Sequence, residues 1–328
     1  MSPQFRPTTP DDALQLQVLA ASAFESRAPL AFVDRAMLQW KFWSPRPDFA
    51  RPRSYVVESQ GRIVAHAGLW PVTVDGLAGV HLIDWMAAPD EPGAGVFLHQ
   101  HMAEQFDFQL SIGGAQAALE ILPALGFTPI GTAWSWARPL RPLRQIAHHQ
   151  QRNWRLAPRY LRNLSWSLWP RRRGDDGHAC TLVPDCSNAQ RSAAFFEYLR
   201  GCPGAQVLCF SIADASGPVG EFALAVVALQ ARIAGIWLQR PTVENWTLAL
   251  ECAQRAALAH SDACEIVFRA AAGASRLAAP RAGMHLVATE QVCTRGRDGA
   301  AVHPALDFQL CDNDAVFLTQ HHAPRFST

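Results

Sequence analysis

The stretch of sequence from Gly79 to Phe127 constrains the fold more than any other. The apolar run from Val80 to Ala88 predicts a strand, and it ends in a turn that contains Gly93-Ala94-Gly95. A helical pattern, a second apolar run and a second helical pattern follow. Glycines admit a ligand close to backbone N–H groups, and a helix N-terminus carries partial positive charge. The stretch therefore predicts an anion site, although an ordinary turn between a strand and a helix would read in the same way.

The elements on either side of this stretch predict the fold class. Before it, the sequence reads as a short strand, two helices and two strands joined by the turn Gln60-Gly61. After it, one more strand closes the pattern near residue 137. Three antiparallel strands that lead into a glycine turn and a parallel step predict a mixed sheet flanked by helices. This is an α/β (α+β) fold.

Two motifs in the stretch carry a family resemblance. The hexapeptide Asp90–Gly95 has both glycines of the pattern Arg/Gln-x-x-Gly-x-Gly/Ala, with Asp90 at its first position. Further on, Leu125-Gly126-Phe127 fits a Leu-Gly-Phe pattern, with Leu122 where a tyrosine is common. Together with the order of elements over residues 4–137, these motifs resemble the GNAT acyltransferase superfamily. In that family, the loop binds the pyrophosphate of coenzyme A.

The resemblance implies a cofactor site in the same stretch. It implies acetyl-coenzyme A or another acyl-coenzyme A as the co-substrate, and no metal. Backbone N–H groups of the strand would position the thioester, and the turn that opens the helix would bind the phosphates. The residues concerned are Met86, Ala87, Ala88, Gly93, Ala94, Gly95 and Val96.

Transfer of an acyl group to an amine also needs a base that takes a proton from the ammonium. Asp84 is the best placed acid on the strand before the turn; the alternative is a structural carboxylate satisfied by backbone or by an arginine. His66 and Glu58 on neighbouring strands are further candidates, while His81 would point to the opposite face of a regular strand. Ser111 is a candidate proton donor near the place where the family has its tyrosine.

The second half of the sequence repeats the element order of the first. We therefore predict two tandem GNAT-like domains, each a mostly antiparallel twisted sheet flanked by helices, at residues 1–137 and 178–328. An Arg- and Trp-rich segment, 138–177, joins them. The second half has Gln239–Thr242 in place of the glycine turn, and without glycine the backbone cannot come as close to a pyrophosphate. The sequence predicts one cofactor site, in the N-terminal half.

The joining segment is strongly basic, with ten arginines and no acid in residues 138–173. Four of these arginines share one face of a predicted helix: Arg152, Arg155, Arg159 and Arg162. One interpretation is an interdomain helix with a solvated charged face. A second is a site for RNA, because arginine forks bind phosphates and tryptophans stack on bases. A third is an anionic membrane surface, which suits a helix with arginines on one face and Leu and Trp on another.

Composition narrows the class of protein. The net charge is +1, so the chain as a whole is not typical of nucleic-acid-binding proteins. It shows neither a signal peptide nor an apolar run of membrane-spanning length, which predicts a cytoplasmic protein. All 8 cysteines lie from Cys180 onward without a C-x-x-C pair. Scattered cysteines are typical of buried thiols in a reducing compartment and do not indicate a metal site.

Three functional hypotheses follow from the sequence. The first is an N-acyltransferase that moves an acyl group from acyl-coenzyme A to an amine of a small molecule or a sugar intermediate. The second is an aminoacyl-tRNA-dependent transferase similar to the Fem type, in which the arginine segment would hold the tRNA. The third is a non-catalytic binding protein with a decayed acyl site, which Asp90 and Leu122 favour.

Overall fold

A computed structural model of the chain describes residues 3–26, 30–74, 77–103, 105–114, 116–148, 156–168, 179–183, 191–215, 217–270, 273–297, 309–318 and 326–328. The chain divides into two compact units. The N-terminal unit comprises Met1–Thr132, Glu290–Leu306 and Asp312–Asp314. The C-terminal unit comprises Ala133–Thr289, Asp307–Cys311 and Ala315–Thr328.

The regular elements follow one another in the order that the sequence predicts. The strands are β1 (Gln4–Pro7), β2 (Ser54–Ser59), β3 (Arg62–Val74), β4 (Leu77–Ala87), β5 (Phe108–Ile112), β6 (Thr128–Pro139), β7 (Ala179–Val183), β8 (Gln206–Asp214), β9 (Gly217–Val227), β10 (Gln230–Leu238), β11 (Glu265–Ala270) and β12 (His285–Gly296). The helices are α1 (Ala13–Ala23), α2 (Arg35–Leu38), α3 (Ala94–Ala103), α4 (Gln116–Ile121), α5 (Pro142–Ala147), α6 (Leu156–Ser167), α7 (Ala193–Arg200), α8 (Val243–His260) and α9 (Gly273–Arg281). A π-helical turn, Gln39–Trp43, continues α2.

The sheet of the N-terminal unit has the strand order β1-β2-β3-β4-β5-β12. Strands β1 to β4 are antiparallel neighbours. The predicted turn Gln60-Gly61 joins β2 to β3, with φ angles of +53° and +76° that suit a tight hairpin. At the other side, β5 pairs antiparallel with Val292–Gly296 of β12. The last strand of the second half thus completes the sheet of the first unit.

The parallel step between β4 and β5 leaves part of β4 unpaired. The two strands pair only at their beginnings, where Gly79–His81 lies beside Phe108–Leu110. Beyond His81, β4 continues to Ala87, and no described strand pairs with this edge. Because each backbone N–H and C=O of an unpaired edge needs another partner, this edge is open to a ligand.

Helices cover the sheet of the N-terminal unit and close its core. Helix α1 contacts β3 and β4, and α3 contacts β2, β3 and β4. Leu16 of α1, Leu98 and Met102 of α3, and Trp70 and Phe108 of the sheet are at most 1% exposed. Burial of a large apolar side chain contributes roughly 1.5–3 kcal/mol, so such residues fix α3 firmly on the sheet beside β4.

The C-terminal unit has a sheet in the order β6-β11-β10-β9-β8-β7. Its parallel step joins β10 to β11 over Gln230–Arg232 and Glu265–Val267. Strand β6 pairs antiparallel with β11 through Trp134–Pro139. Helix α8 contacts β9, β10 and α9 over a core that includes Phe222 and Leu250. Each unit therefore shows the same succession of antiparallel strands, a parallel step and a closing antiparallel strand.

The predicted mixed α/β fold is confirmed, with one difference in how the halves divide. The sequence placed all of 178–328 in the second domain, whereas Glu290–Gly296 of β12 groups with the N-terminal unit. The described part of the joining segment, including α5 and α6, groups with the C-terminal unit.

Candidate active site

A left-handed glycine turn joins β4 to α3. Gly93 has a φ of +88°, which side-chain-bearing residues rarely adopt, and apart from its chain neighbours no atom of the described residues lies within 4 Å of where its Cβ would stand. Ala94 N–H donates to Glu91 O at 3.3 Å. Among the described residues, neither Gly95 N–H nor Val96 N–H has a backbone acceptor. The predicted anion site therefore has open space, amide donors and the positive end of a helix.

Two acids in this turn pair with one arginine of β3. Arg62 Nη1 lies 3.0 Å from Asp90 Oδ2, and Arg62 Nη2 lies 3.3 Å from Glu91 Oε1. The hydrogen bond from Arg62 lowers the pKa of Asp90. The pair is exposed and screened by salt, so it contributes little to stability. Its effect is to place an arginine beside the turn although the family's Arg/Gln position holds Asp90.

The open edge of β4 offers fewer donors than the sequence predicts. Ala88 N–H donates to Val64 O of β3 at 2.8 Å and is not free for a ligand. Backbone N–H groups alternate in direction along a strand. Ala87 N–H therefore points away from β3, to the open edge, while Met86 N–H points back to β3. Of the three predicted amides, Ala87 is the one that faces a ligand on this edge.

Strand β4 is irregular at Asp84. Its register with β3 shifts between His66 and Gly68, so that Asp84 and Trp85 together oppose one residue. Asp84 has a φ of +48°, a left-handed conformation that aspartate tolerates better than most residues. Trp85 Nε1 lies 3.4 Å from the Cβ position of Gly95 and so faces α3. The bulge redirects the acid and the tryptophan to opposite faces of the sheet.

Asp84 contacts the only lysine of the chain. Lys41 is fully buried, and its Nζ donates to an Asp84 carboxylate oxygen and to Asp314 Oδ2, the latter at 3.2 Å. Burial lowers the pKa of Lys41, but the two carboxylates outweigh it and hold this pKa above its ordinary value. Burial, assisted by Asp314 and opposed by Lys41, raises the pKa of Asp84 to about 6. Because two acids share one cation, Asp84 can exchange a proton near neutral pH.

The sequence candidate His66 supports this bulge and is not placed to act as a base. Its Nδ1 lies 3.0 Å from Asp84 O, and its Nε2 lies 2.8 Å from Ser54 Oγ. Since a carbonyl oxygen only accepts, the proton is on Nδ1, and Nε2 accepts from the Ser54 hydroxyl. Burial lowers the pKa of His66 to about 3. Both ring nitrogens are therefore committed, and the neutral ring holds the Asp84 carbonyl in place.

Ser111 lies on the other face of the sheet from Asp84. Two residues earlier on β5, Gln109 Oε1 lies 2.9 Å from Nε2 of His99, a residue of α3. Alternate residues of a strand face the same side, so Ser111 also faces α3. The structure brings Asp84, His66 and Lys41 together and leaves Ser111 apart from them. Lys41 and Asp314 were missed, although a single lysine among arginines was a visible signal.

The corresponding helix of the C-terminal unit is closed by its own side chains. Thr242 precedes α8, and its Oγ1 accepts from Asn245 N–H at 3.2 Å. Asn245 Nδ2 in turn donates to Arg240 O at 2.9 Å. A first-turn donor that a ligand would use is thus already satisfied. The single cofactor site in the N-terminal half stays a prediction.

The described arginines of the joining segment contact this chain. Arg159 Nε donates to Thr328 O at 2.5 Å. The guanidinium of Arg162 lies over the Trp166 ring, 4.3 Å from its centroid. The other two arginines of the predicted face lie outside the described residues: Arg152 and Arg155. A partner at this segment stays a prediction.

Two further features are absent from the described residues. No group of three or more His, Cys, Asp and Glu side chains there could hold a metal ion. None of the helices there combines the length and the apolar character that a membrane crossing requires.

Solved structures with the same fold identify the architecture. A tandem GNAT protein from the clavulanic acid biosynthesis pathway matches at a TM-score of 0.57 with 14% identity, over 90% of this chain and 99% of that one. The chain therefore has a tandem GNAT fold. A putative acetyltransferase from Pyrococcus horikoshii matches at a TM-score of 0.54 with 11% identity, over 94% and 93% of the two chains.

A transferase of a longer acyl group also matches the fold of this chain. Saccharomyces cerevisiae N-myristoyltransferase with bound myristoyl-CoA matches at a TM-score of 0.54 with 9% identity, over 89% of this chain and 78% of that one. No protein-family model and no curated protein matches the sequence. At these identities the likeness concerns the fold, and function must be argued from the site.

Proposed function

We propose that the N-terminal unit transfers an acyl group from acyl-coenzyme A to an amine of a small molecule or a sugar intermediate. The observation that carries the proposal is the Gly93 turn, with open space and acceptor-free amides at the start of α3. This turn directly follows the open edge of β4. Phosphates at the turn and an extended chain along the edge would use both features at once.

The residues fit the co-substrate without rearrangement of the turn. Gly95 N–H and Val96 N–H would hold a phosphate oxygen, while the charge of Arg62 stays paired with Asp90 and Glu91. Ala87 N–H would bond the extended part of the molecule on the open edge. When bound, acyl-coenzyme A supplies a thioester whose carbonyl carbon the amine attacks, and the thiolate leaves as the new amide forms.

Asp84 is the proposed base for this transfer. An ammonium must lose a proton before its nitrogen can attack the thioester carbonyl carbon, and the same nitrogen must lose a second proton after it has attacked. With a pKa of about 6, the Asp84 carboxylate is mostly ionised at neutral pH and yet basic enough to take a proton. Its side chain keeps 10% of its surface exposed, which leaves an approach for a substrate.

Lys41 and His66 are positioning residues in this scheme. Lys41 holds the Asp84 carboxylate by a buried ion pair. His66 holds the backbone of the same residue by a hydrogen bond to its carbonyl oxygen at 3.0 Å. Side chain and main chain of the base are therefore fixed separately, as a preorganised site requires.

The proposal includes a cytoplasmic site of action. The seven cysteines within the described residues are free thiols, which suits a reducing compartment. An aminoacyl-tRNA-dependent reaction depends on the arginine segment, and Arg159 there is engaged by the chain's own backbone. No described contact favours that alternative, and a raised 260/280 nm absorbance ratio of the purified protein would support it.

Calorimetric titration with acetyl-coenzyme A and a longer acyl-coenzyme A tests the proposal. In the Gly93→Trp variant the indole would fill the space in front of the amides, so we expect affinity to fall more than about tenfold. Gly217→Trp is the matched control, since Gly217 also has a left-handed φ, +123°, and open space at its Cβ position, but lies in the C-terminal unit.

The outcomes separate the hypotheses. Binding that Gly93→Trp abolishes and Gly217→Trp retains would support the site and justify a screen of amine acceptors by thiol release. Equal loss in both variants would mean that the substitutions act through folding. If the parent protein binds no acyl-coenzyme A, the acyltransferase proposal fails and a non-catalytic protein is the better interpretation.

A further inference from the structure

Two cysteines of the C-terminal unit lie in contact although they are far apart in the sequence. Cys180 lies on β7, the edge strand of the sheet, and Cys252 lies on α8. Cys180 is the register partner of Ile212 on β8, and opposite residues of an antiparallel pair face the same side of the sheet. Ile212 and Cys252 belong to one buried core, against which Cys180 packs. The edge strand therefore presents its cysteine to α8.

A hydrogen bond joins the two thiols, and an arginine completes the group. The Cys180 thiol donates to the Cys252 sulfur. Arg255, one turn further along α8, donates from Nη2 to Cys252 Sγ at 3.1 Å. The hydrogen bond from Cys180 outweighs burial and, together with Arg255, lowers the pKa of Cys252 to about 7. The pair therefore holds one thiol and one thiolate in a large fraction of molecules at neutral pH.

The two sulfurs differ in their access to solvent. Cys252 is 0% exposed, whereas Cys180 is half-buried and is the only one of the seven described cysteines that is not buried. A small reagent from solvent therefore meets Cys180 first, with Cys252 behind it. Redox-active cysteines combine partial exposure, a nearby cation and a second cysteine within reach, and this pair has all three.

We propose that Cys180 and Cys252 form a reversible disulfide by exchange with a low-molecular-weight disulfide. The Cys180 proton passes to Cys252, and the Cys180 sulfur attacks one sulfur of the small disulfide, whose S–S bond breaks and releases a thiolate. This thiolate takes the proton from Cys252. The Cys252 thiolate then attacks the Cys180 sulfur of the mixed disulfide and displaces the second small thiolate. The protein pair loses two electrons, and the small disulfide is reduced to two thiols.

The disulfide would tie an edge strand to the central helix of its unit. Strand β7 pairs with β8 on one side and, in the described part of the chain, with no strand on the other. A bond between positions 180 and 252 closes a loop of roughly 70 residues and so restricts the unfolded chain. The C-terminal unit would thus be more stable under oxidising conditions. The proposal does not rest on acyl transfer, since both cysteines lie in the C-terminal unit and its test needs no turnover.

Oxidation of the reduced, full-length protein with oxidised glutathione tests the pair. After remaining thiols are alkylated, peptide mass spectrometry should find a peptide pair crosslinked through Cys180 and Cys252. The midpoint of thermal unfolding should rise by about 5 °C or more, because the crosslink closes a long loop. Dithiothreitol should reverse both changes.

Three variants and one control locate the reaction. Cys180→Ala should show neither the crosslink nor the rise in midpoint. Cys252→Ala should stop at a mixed disulfide between Cys180 and glutathione, because no second thiol displaces the glutathione. Arg255→Met should form the crosslink about tenfold more slowly, since a rise of one unit in the pKa of Cys252 lowers the thiolate fraction about tenfold. Cys202→Ala is the control, because Cys202 is a buried cysteine of the same unit and its variant should react as the parent does.

Three results would overturn the proposal. The first is a folded parent protein whose Cys180 and Cys252 do not react with oxidised glutathione. The second is a parent protein that stops at the mixed disulfide of Cys180, which would show that Cys252 cannot reach it. The third is a crosslink from Cys180 to another cysteine, such as Cys186, which lies outside the described residues. If an alanine variant fails to fold, peptide mapping of the parent still decides, because it needs no substitution.

Discussion

The two units share an order of elements but differ at the same two places. In the N-terminal unit, the bulge in β4 holds Asp84 and the helix that follows starts at an open glycine turn. In the C-terminal unit, the register of β10 with β9 shifts between Ile233 and Gly235, so the corresponding bulge holds Ala234. The helix after it starts at Thr242, whose side chain caps it.

This difference indicates that the shared fold forms a functional site only in the unit whose helix N-terminus is uncapped and whose bulge holds a titratable side chain. A bulge directs a side chain in both units, but an alanine methyl group cannot exchange a proton. A helix N-terminus carries positive charge in both units, but a capping hydroxyl satisfies its donors in one of them. The predictions below test whether function follows the unfilled places.

The largest effect is expected at the bulge acid. Asp84→Asn keeps the shape of the side chain and removes the base, so we expect kcat to fall about 10²–10⁴-fold. Release of free thiol from acyl-coenzyme A, in the presence of an amine acceptor, measures it. Asp90→Asn removes a carboxylate from the turn and serves as the control, with kcat expected near that of the parent. If Asp84→Asn retains the full kcat, Asp84 is not the base, and the bulge in β4 contributes no more to catalysis than the alanine bulge in β10.

A comparable effect, on stability, is expected at the lysine that supports this acid. Lys41→Met leaves Asp84 and Asp314 buried without their cation, which should cost about 3–5 kcal/mol in urea unfolding. Adding Asp314→Asn to Lys41→Met removes one of the two stranded charges, so the double variant should recover part of the loss. Additive losses would show that the three groups do not act as one cluster.

Asp84 in the bulge of β4 also predicts that activity and stability depend on pH, which Ala234 in the bulge of β10 cannot produce. Because the base must be ionised, kcat/KM should rise about tenfold per pH unit up to about pH 6 and then level off. Stability should change in the opposite sense. A raised pKa means that folded protein binds this proton more tightly, so the contribution is complete below the ordinary value of 3.8 and is lost as pH rises through about 6. Both changes should be absent in Asp84→Asn.

Local patterns in the sequence were enough for most of the fold. The apolar run Val80–Ala88 predicted the strand that the structure shows as β4, and Gln60-Gly61 predicted the hairpin turn between β2 and β3. The pairing of Val292–Gly296 with β5 was not predictable, because no local signal states which sheet a strand will join. The order of elements follows from short-range sequence patterns, whereas this pairing depends on contacts between residues that are far apart in the chain.

The residues of the candidate site also fall into two groups, those that local sequence predicts and those that depend on tertiary contacts. The glycine turn and Asp84 were visible because they are adjacent in sequence to a recognisable strand. Lys41 reaches Asp84 from 43 residues away, and Asp314 reaches Lys41 from 273 residues away. The role of His66 depends on a hydrogen bond to one carbonyl oxygen at a bulge. Such roles follow from tertiary geometry, so sequence reasoning could suggest the residue type but not the partner.

The smallest effect is expected at the capped helix of the C-terminal unit. Thr242→Ala removes the side-chain acceptor of Asn245 N–H, which should lower the free energy of unfolding by about 1 kcal/mol. It also exposes the amides of α8, so it makes this N-terminus more like that of α3. We nevertheless expect unchanged acyl-coenzyme A affinity, because none of the residues Gln239–Thr242 before α8 is a glycine that could adopt the open left-handed turn of Gly93. If calorimetry of Thr242→Ala instead shows a second bound acyl-coenzyme A, the Thr242 side chain alone prevents binding to the C-terminal unit of the parent protein. The glycine turn would then not be the feature that decides which unit binds.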